Sequence, residues 1–99
     1  MSVQHIGLIR FKAGTTAAVI EDTFARLRQL RSGIPGITEL TSGVNTSPEG
    51  LDQGHTHGFV MTFQDTAARD AYLPHPEHQK FVQFAGPLFE KITVFDYEG

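Results

Sequence analysis

The first apolar stretch of the chain alternates between two faces, which is the pattern of a β-strand. Between residues 3 and 11 the odd-numbered side chains fall on one face and the even-numbered side chains on the other. Both faces are largely apolar, so we expect this strand to lie inside a sheet that is covered on both sides. Residues 12–15 interrupt the pattern and predict a loop.

The spacing of apolar residues then changes from two to three and four, which predicts an amphipathic helix. Thr15 or Thr16 can cap its start. Ser32 and Gly33 end the pattern, and Gly33 is available for a left-handed cap. The core-facing stripe consists of Ile20, Phe24, Leu27 and Leu30.

Three more strands and two shorter helical pieces are predicted in the rest of the chain. The strands cover residues 37–44, 55–63 and 90–97, and the polar residues 45–54 form a loop between the first two. Asp65 or Thr66 can cap a short helix that runs to Tyr72. Pro76 is suited to the first position of a further helical piece. The side chains of that piece expected to turn inward are Phe81, Phe84 and Ala85.

The resulting order, β-α-β-β-α-β, predicts an α+β domain with a ferredoxin-like fold. Its four-stranded sheet is antiparallel with spatial order 4-1-3-2, and both helices cover one face. The other face displays apolar side chains, and an apolar face open to water marks an interface. We therefore expect a homodimer that packs two sheets face to face and closes into an α/β barrel. The open face would carry Ile6, Leu8, Val60, Phe95 and Tyr97.

Composition narrows the function classes. The 99 residues are enough for one domain, covering 1–99. The net charge of −3 gives no basic footprint, so no nucleic-acid partner is expected. The chain lacks cysteine, long apolar runs and a signal-peptide pattern, so we expect no thiolate site, no membrane partner and a cytoplasmic location.

The segment from Tyr72 to His78 is the richest candidate for chemistry. Pro74 and Pro76 force a bend, because neither residue fits inside a regular helix. His78 would lie in the first turn of a helix that starts at Pro76, where the helix dipole disfavours a positive charge. A neutral histidine can act as a general base, and the Tyr72 phenol can donate to a developing oxyanion. The alternatives are a buried histidine bonded to a carbonyl and a core tyrosine with a wet tip.

The other histidines are placed by the predicted topology. The first and last strands are neighbours, so His5 should lie beside Asp96, which could orient its ring or simply form a structural pair. His57 shares the helix-facing side but should lie toward the opposite end from His5. His55 and His57 alternate as metal ligands can, yet no third ligand has suitable spacing, so no metal site is expected.

The chain resembles the stress-responsive α/β-barrel (Dabb) domain family along nearly its whole length. The segments that carry the resemblance are 5–12, Ile-Pro-Gly at 34–36, 43–48, Tyr-Leu-Pro-His-Pro-Glu-His-Gln at 72–79 and 94–97. The resemblance implies a homodimeric barrel. One branch of the family, the olivetolic acid cyclase type, consists of cofactor-free polyketide cyclases that work by aldol condensation. It implies His78 and Tyr72 as the acid–base pair, and His5, His57 and Asp96 as pocket residues.

The leading hypothesis is therefore a small enzyme without a cofactor that binds a hydrophobic carbonyl compound between sheet and helices. A non-catalytic, dimeric stress-related or ligand-binding protein is the first alternative, and a cofactor-free oxygenase is the second. The expected lining residues are Gly7, Ile9, Phe24, Phe59, Met61, Phe81, Phe84, Phe89, Ile92 and Val94.

Overall fold

The computed structural model describes all residues from Met1 to Gly99. Its helices and strands follow one another in the predicted order, and the second helical region is split into two helices and a short 3-10 turn at Gly86–Leu88. None of the helices combines the length and the apolar composition needed to cross a lipid bilayer. The strands are β1 (Val3–Phe11), β2 (Ile37–Val44), β3 (His57–Phe63) and β4 (Phe89–Glu98), and the helices are α1 (Ala17–Gly33), α2 (Thr66–Tyr72) and α3 (Pro76–Ala85).

The strands form one four-stranded antiparallel sheet in the order β2-β3-β1-β4, which confirms the predicted ferredoxin-like arrangement. β1 lies in the middle, with β3 on one side and β4 on the other. His5 stands opposite Met61 of β3 and Asp96 of β4. Gly7 stands opposite Phe59 and Val94 in the same way. The register thus places one residue from each of three strands side by side, first at His5 and again at Gly7.

The helix starts are fixed by side-chain caps. Thr16 accepts a hydrogen bond from the backbone N–H of Val19 at 3.3 Å, and Asp65 accepts one from that of Ala68 at 2.8 Å. Before α3, His75 Nδ1 accepts from the N–H of Glu77 at 3.1 Å. These partners satisfy backbone donors that a helix leaves free at its N-terminus.

The predicted left-handed cap at Gly33 is wrong. Gly33 remains inside α1, and the helix ends at Ile34, whose backbone is extended and whose N–H donates to the carbonyl of Leu30. The left-handed conformation occurs instead at Gly36, where φ is 93°. A Cβ at Gly36 would also crowd the Cβ of Ala68, so the turn into β2 requires this glycine.

The predicted start of the third strand at residue 55 is also wrong, because β3 begins at His57. The backbone N–H of His55 donates to the carbonyl of Asp52 at 3.1 Å, which closes a turn. The His55 ring is buried, with Nδ1 donating to the same carbonyl and Nε2 within 3.0 Å of Thr93 Oγ1. The end of the 45–56 loop therefore folds over one end of the open sheet face.

The hydrophobic core lies between the sheet and the helices. Along β1 the odd-numbered residues are buried and the even-numbered residues are partly or fully exposed, so helices cover only one face. On the other face Phe95 is 64% exposed and Tyr97 is 51% exposed. The core consists of Val3, Ile9, Phe11, Phe24, Leu27, Leu30, Ile34, Ile37, Phe59, Met61, Phe63, Ala68 and Tyr72.

Candidate active site

The bend between α2 and α3 is organised around one carbonyl group. The N–H of His75 donates to the carbonyl of Tyr72 at 3.0 Å, which turns the chain after α2. The carbonyl of Leu73 then accepts hydrogen bonds from His78 Nδ1 and from Gln79 Nε2, each at 2.9 Å. The His78 ring is thereby fixed over the end of α2.

His78 is held in a form suited to accepting a proton. Because a carbonyl can only accept, Nδ1 of His78 carries the hydrogen, and Nε2 of the neutral ring is left with a free lone pair. Burial lowers the pKa of His78, the neighbouring rings of His5 and His75 lower it further, and the Leu73 carbonyl opposes the shift. Burial, and not the helix dipole that the sequence suggested, is the main cause that lowers the pKa of His78.

Tyr72 packs against His78 and presents a hydroxyl group without a protein partner. Its ring centroid lies 4.1 Å from that of His78, 5.0 Å from that of Phe63 and 5.7 Å from that of His5. The side chain is only 2% exposed, and burial together with the charge of Asp96 raises the pKa of Tyr72. The phenol therefore keeps its proton and remains a hydrogen-bond donor.

His5 lies beside the same tyrosine and is held by a carboxylate. Its Nδ1 is 2.7 Å from Asp96 Oδ1, so the pair that the topology predicted is present. The second carboxylate oxygen of Asp96 accepts from Arg69 Nη1, also at 2.7 Å. No sequence pattern pointed to Arg69, which lies on α2 and reaches the end of β4.

His57 lies at the other end of the sheet, as predicted, and has no carboxylate partner. It stands opposite Ile9, and its ring stacks on Phe24 with the centroids 5.5 Å apart. Nδ1 is 2.8 Å from the hydroxyl of Thr56, and burial lowers the pKa of His57. The structure therefore does not bring His57 together with His78 and Tyr72.

The predicted lining residues separate into four groups. Ile9, Phe24, Phe59 and Met61 are core residues, and the Phe59 ring lies on Gly7 so closely that a Cβ there would overlap it. Phe81 and Phe89 are partly buried against the core. Phe84 lies under the guanidinium of Arg26 at 3.8 Å and is not part of that cluster. Ile92 and Val94, which share the Asp96 face of β4, are 48% and 55% exposed.

The two large clefts of the chain lie away from the bend. One of about 440 Å³ opens beside His57, between α1 and the end of β2, with Ile20 and Phe24 in its wall. Another of about 420 Å³ lies on the open sheet face beside Leu8 and His55. Tyr72 and His78 line neither. On β4, Val94 and then Ile92 follow Asp96 along the same face, and both are about half exposed.

No three histidine, aspartate or glutamate side chains lie close enough together to hold a metal ion. The side chains of His55 and His57, which alternate in the sequence, have different partners. His55 bonds to Thr93, while His57 stacks on Phe24. The reactive groups that the fold does bring together are those of His5, Tyr72 and His78.

Comparison with known proteins places the whole fold in one family. The model of the stress responsive A/B barrel domain (Dabb) matches residues 3–99. The chain is 29% identical to olivetolic acid cyclase of Cannabis sativa over 97 residues, which covers 98% of this chain and 96% of the cyclase.

Two solved structures show the same architecture. Hydroxynitrile lyase from Passiflora edulis superimposes with a TM-score of 0.91 and 28% identity, over 97% of this chain and 91% of the lyase. A dimeric ferredoxin-like protein from Jannaschia sp. CCS1 gives a TM-score of 0.88 and 29% identity, with all of both chains covered.

Proposed function

The chain belongs to the stress-responsive A/B barrel domain family, and from this premise we propose that it is an acid–base enzyme that works without a cofactor. His78 removes a proton α to a carbonyl of a hydrophobic, polyketide-like substrate, and Tyr72 holds the oxyanion that forms. The reaction is an aldol-type cyclisation, in which the new carbon–carbon bond closes a ring.

The observation that carries this proposal is the hydrogen bond from His78 Nδ1 to the carbonyl of Leu73. It leaves Nε2 as the only ring atom that can accept a proton, and the lowered pKa keeps that atom unprotonated near neutral pH. The hydrogen bond to Leu73 would also suit a histidine that only locks the bend, so the free Nε2 is the feature that favours a general base. Nε2 of His78 has no protein partner.

Each proton in the proposed reaction has a place to go. Nε2 of His78 takes the proton from the carbon next to the carbonyl, and the enolate oxygen accepts a hydrogen bond from the Tyr72 phenol. The enolate carbon attacks a second carbonyl of the same substrate, forming the carbon–carbon bond and an alkoxide. The protonated His78 then returns its proton to the alkoxide, which restores the enzyme.

Apolar surface along β4 supports a hydrophobic substrate. Ile92 and Val94 expose apolar surface on the same face of β4 as Asp96, and Phe89 lies partly buried at the start of that strand. Two similar proteins are named as a cyclase and as a hydroxynitrile lyase, which supports an enzyme on this fold rather than a purely structural protein.

The first step can be tested without knowing the natural substrate. The protein is incubated in D₂O with 4-phenyl-2-butanone, a hydrophobic methyl ketone, and exchange of its α-hydrogens is followed by NMR. We expect exchange above the buffer rate, reduced by about 10³-fold in His78→Asn, within the range that a general base contributes. The matched control is His75→Asn, which replaces a nearby histidine with another good helix cap and should retain the exchange.

Two outcomes would contradict the proposal. Exchange at the buffer rate with the wild-type protein would favour a non-catalytic binding protein, and equal exchange in His78→Asn would remove His78 from the reaction. Oxygen uptake with an electron-rich phenol, measured in parallel with an oxygen electrode, would instead indicate an oxygenase.

We also propose that the chain forms a homodimer through the open sheet face. Phe95 and Tyr97 are the most exposed large apolar residues of that face, and a similar protein with the same fold is dimeric. Light scattering should give twice the mass of one chain for the wild type and a single chain for Phe95→Asp. Val82→Asp, a change at an exposed apolar residue of α3, should remain dimeric. A dimeric Phe95→Asp variant would show that another surface is used.

A further inference from the structure

Three partly buried side chains from three different elements form a continuous chain that ends at the candidate site. Arg69 of α2 donates to Asp96 Oδ2, and His5 of β1 donates from Nδ1 to Asp96 Oδ1, both at 2.7 Å. The exposed fractions of the side chains are 24% for Arg69, 20% for Asp96 and 8% for His5. The inner end of the chain is thus the most buried.

The guanidinium group of Arg69 is itself held from two sides. Its Nε donates to Asp70 at 2.8 Å while Nη1 donates to Asp96, and these hydrogen bonds, that to Asp70 first, raise the pKa of Arg69. The planar fork of an arginine can serve two carboxylates at fixed angles, which the single point charge of a lysine does less well. Arg69 therefore places a positive charge beside Asp96 and fixes the orientation of the Asp96 carboxylate.

The hydrogen bond to Asp96 determines which nitrogen of His5 is free. An ionised carboxylate can only accept, so Nδ1 of His5 carries the hydrogen. When Nδ1 carries the only ring hydrogen, Nε2 has a lone pair, and no protein group bonds to it. Because the His5 centroid lies 5.7 Å from Tyr72, and Tyr72 in turn contacts His78, this lone pair belongs to the same site.

A carboxylate alone would also favour a positive His5, which could no longer accept a hydrogen bond through Nε2. The groups that face His5 are Asp96 from β4, Tyr72 from α2 and His78 from α3, with the rings of Phe59 and Phe63 from β3. Tyr72 keeps its proton and burial lowers the pKa of His78, so the cation that offsets the charge of Asp96 is Arg69, which Asp96 shares with Asp70.

We infer that Arg69 is a positioning residue: it fixes and neutralises Asp96, and through Asp96 it holds His5 as a neutral ring whose Nε2 accepts a hydrogen bond from a hydroxyl or enol of the substrate. This inference rests on the proposed function for the role of the substrate. The arrangement of Arg69, Asp96 and His5 can be tested without any substrate.

The test is a titration of the protein labelled with ¹⁵N-histidine and free of ligand. Long-range ¹H–¹⁵N spectra report the protonated nitrogen of each ring and the pH at which it takes up a second proton. The variants are Arg69→Gln, which removes the charge, and Arg69→Lys, which retains it. The matched control is Arg26→Gln on α1, where the arginine also pairs with a carboxylate, Asp22, at 3.1 Å.

In the wild type we expect the His5 signals of a ring protonated at Nδ1. In Arg69→Gln the uncompensated charge of Asp96 should raise the titration midpoint of the His5 signals by about one pH unit, a tenfold gain in proton affinity. Arg69→Lys should restore most of the wild-type midpoint, and Arg26→Gln should leave it unchanged. A purely structural role for Arg69 would not move this midpoint.

The inference is overturned if the His5 midpoint and tautomer in a folded Arg69→Gln are those of the wild type. If Arg69→Gln does not fold, Asp96→Asn takes its place: the amide can also donate, so the preference for Nδ1–H should be lost, and unchanged His5 signals would again refute the inference.

The exchange assay separates this inference from the proposed function. Absence of ketone exchange in the wild type would refute the function and leave the His5 signals to be judged separately. His78-dependent exchange with unchanged His5 signals would retain the function and refute the role of Arg69. If both hold, the acid limb of the exchange-rate profile in Arg69→Gln should shift to higher pH together with the His5 midpoint.

Discussion

The helix-facing side of the sheet carries a histidine at each end, and their surroundings differ completely. His5 bonds to Asp96, which bonds to Arg69, and its ring lies beside Tyr72 and His78. His57 lies between the rings of Phe24 and Phe11 and has only the hydroxyl of Thr56 as a partner. Four residues along β1, about 13 Å at the usual rise of a strand, separate the two positions.

The difference shows that a histidine on the inner face of this sheet is not reactive by position alone. At the His5 end, polar partners fix the tautomer and leave lone pairs and a phenol proton free. At the His57 end, aromatic packing leaves a neutral ring next to an apolar cleft of about 440 Å³. Under the proposed function the first end would transfer protons, whereas the second offers space.

Substitutions at the two ends should differ most in their effect on the rate of ketone exchange. Tyr72→Phe should reduce the rate by about 10²-fold, the cost of losing one oxyanion donor. It should leave the melting temperature almost unchanged, because the Tyr72 hydroxyl has no protein partner. His57→Asn should change the rate far less, because His57 does not contact the reacting groups. Equal losses in the two variants would show that the ends act as one site.

The boundary between the two ends can be disturbed directly. Gly7→Ala places a methyl group where the Phe59 ring now lies, and such overpacking should lower the free energy of unfolding by about 2 kcal/mol. Urea denaturation measures the loss. The double variant Gly7→Ala/Phe59→Leu should recover part of it, since the smaller side chain removes the overlap. A Gly7→Ala protein as stable as the wild type would show that Phe59 can move aside freely.

The pH dependence of stability should show a smaller effect, and the histidines at the two ends should contribute to it in the same direction. Burial lowers the pKa of His57 and of His78 below the ordinary value of 6.5. The unfolded chain therefore takes up protons at a higher pH than the folded chain, so stability is fully present above about pH 6.5 and is lost as the pH falls through the folded-state pKa.

Melting temperatures measured on either side of pH 6.5 test this expectation. His57→Asn and His78→Asn should each flatten the fall on the acid side, and the double variant should flatten it most. If one single variant removed the whole pH dependence of the melting temperature, only one of the two histidines would have a pKa lowered by burial.

The fold was predictable because its strands alternate cleanly. The bounds of β1 and β2 and the start of α3 at Pro76 follow from pattern and proline chemistry alone. The start of β3 was missed because His55 continues the alternation, while the turn that removes it from the sheet depends on a hydrogen bond to Asp52.

The positions of the candidate residues were predictable where they share one bend or where the strand order alone makes them neighbours. Tyr72 and His78 share one bend, and the pairing of β1 with β4 was enough to place His5 beside Asp96. Arg69 carries no local signal, because on α2 it looks like any solvated arginine until the helix is packed on the end of β4. The contact of Phe59 with Gly7 likewise becomes visible only when the strand register is known.

The pairing of the smallest residue with a large aromatic one at positions 7 and 59 also has a consequence for protein engineering. Both side chains occupy one row of the sheet, so volume can be traded between them, residue for residue, without touching Tyr72 or His78. A library restricted to these two positions would vary the packing between the two ends of the sheet while keeping the side chains of Tyr72 and His78 constant. If the proposed function holds, the packing and the proton-transfer groups would then be separately adjustable in a single small scaffold.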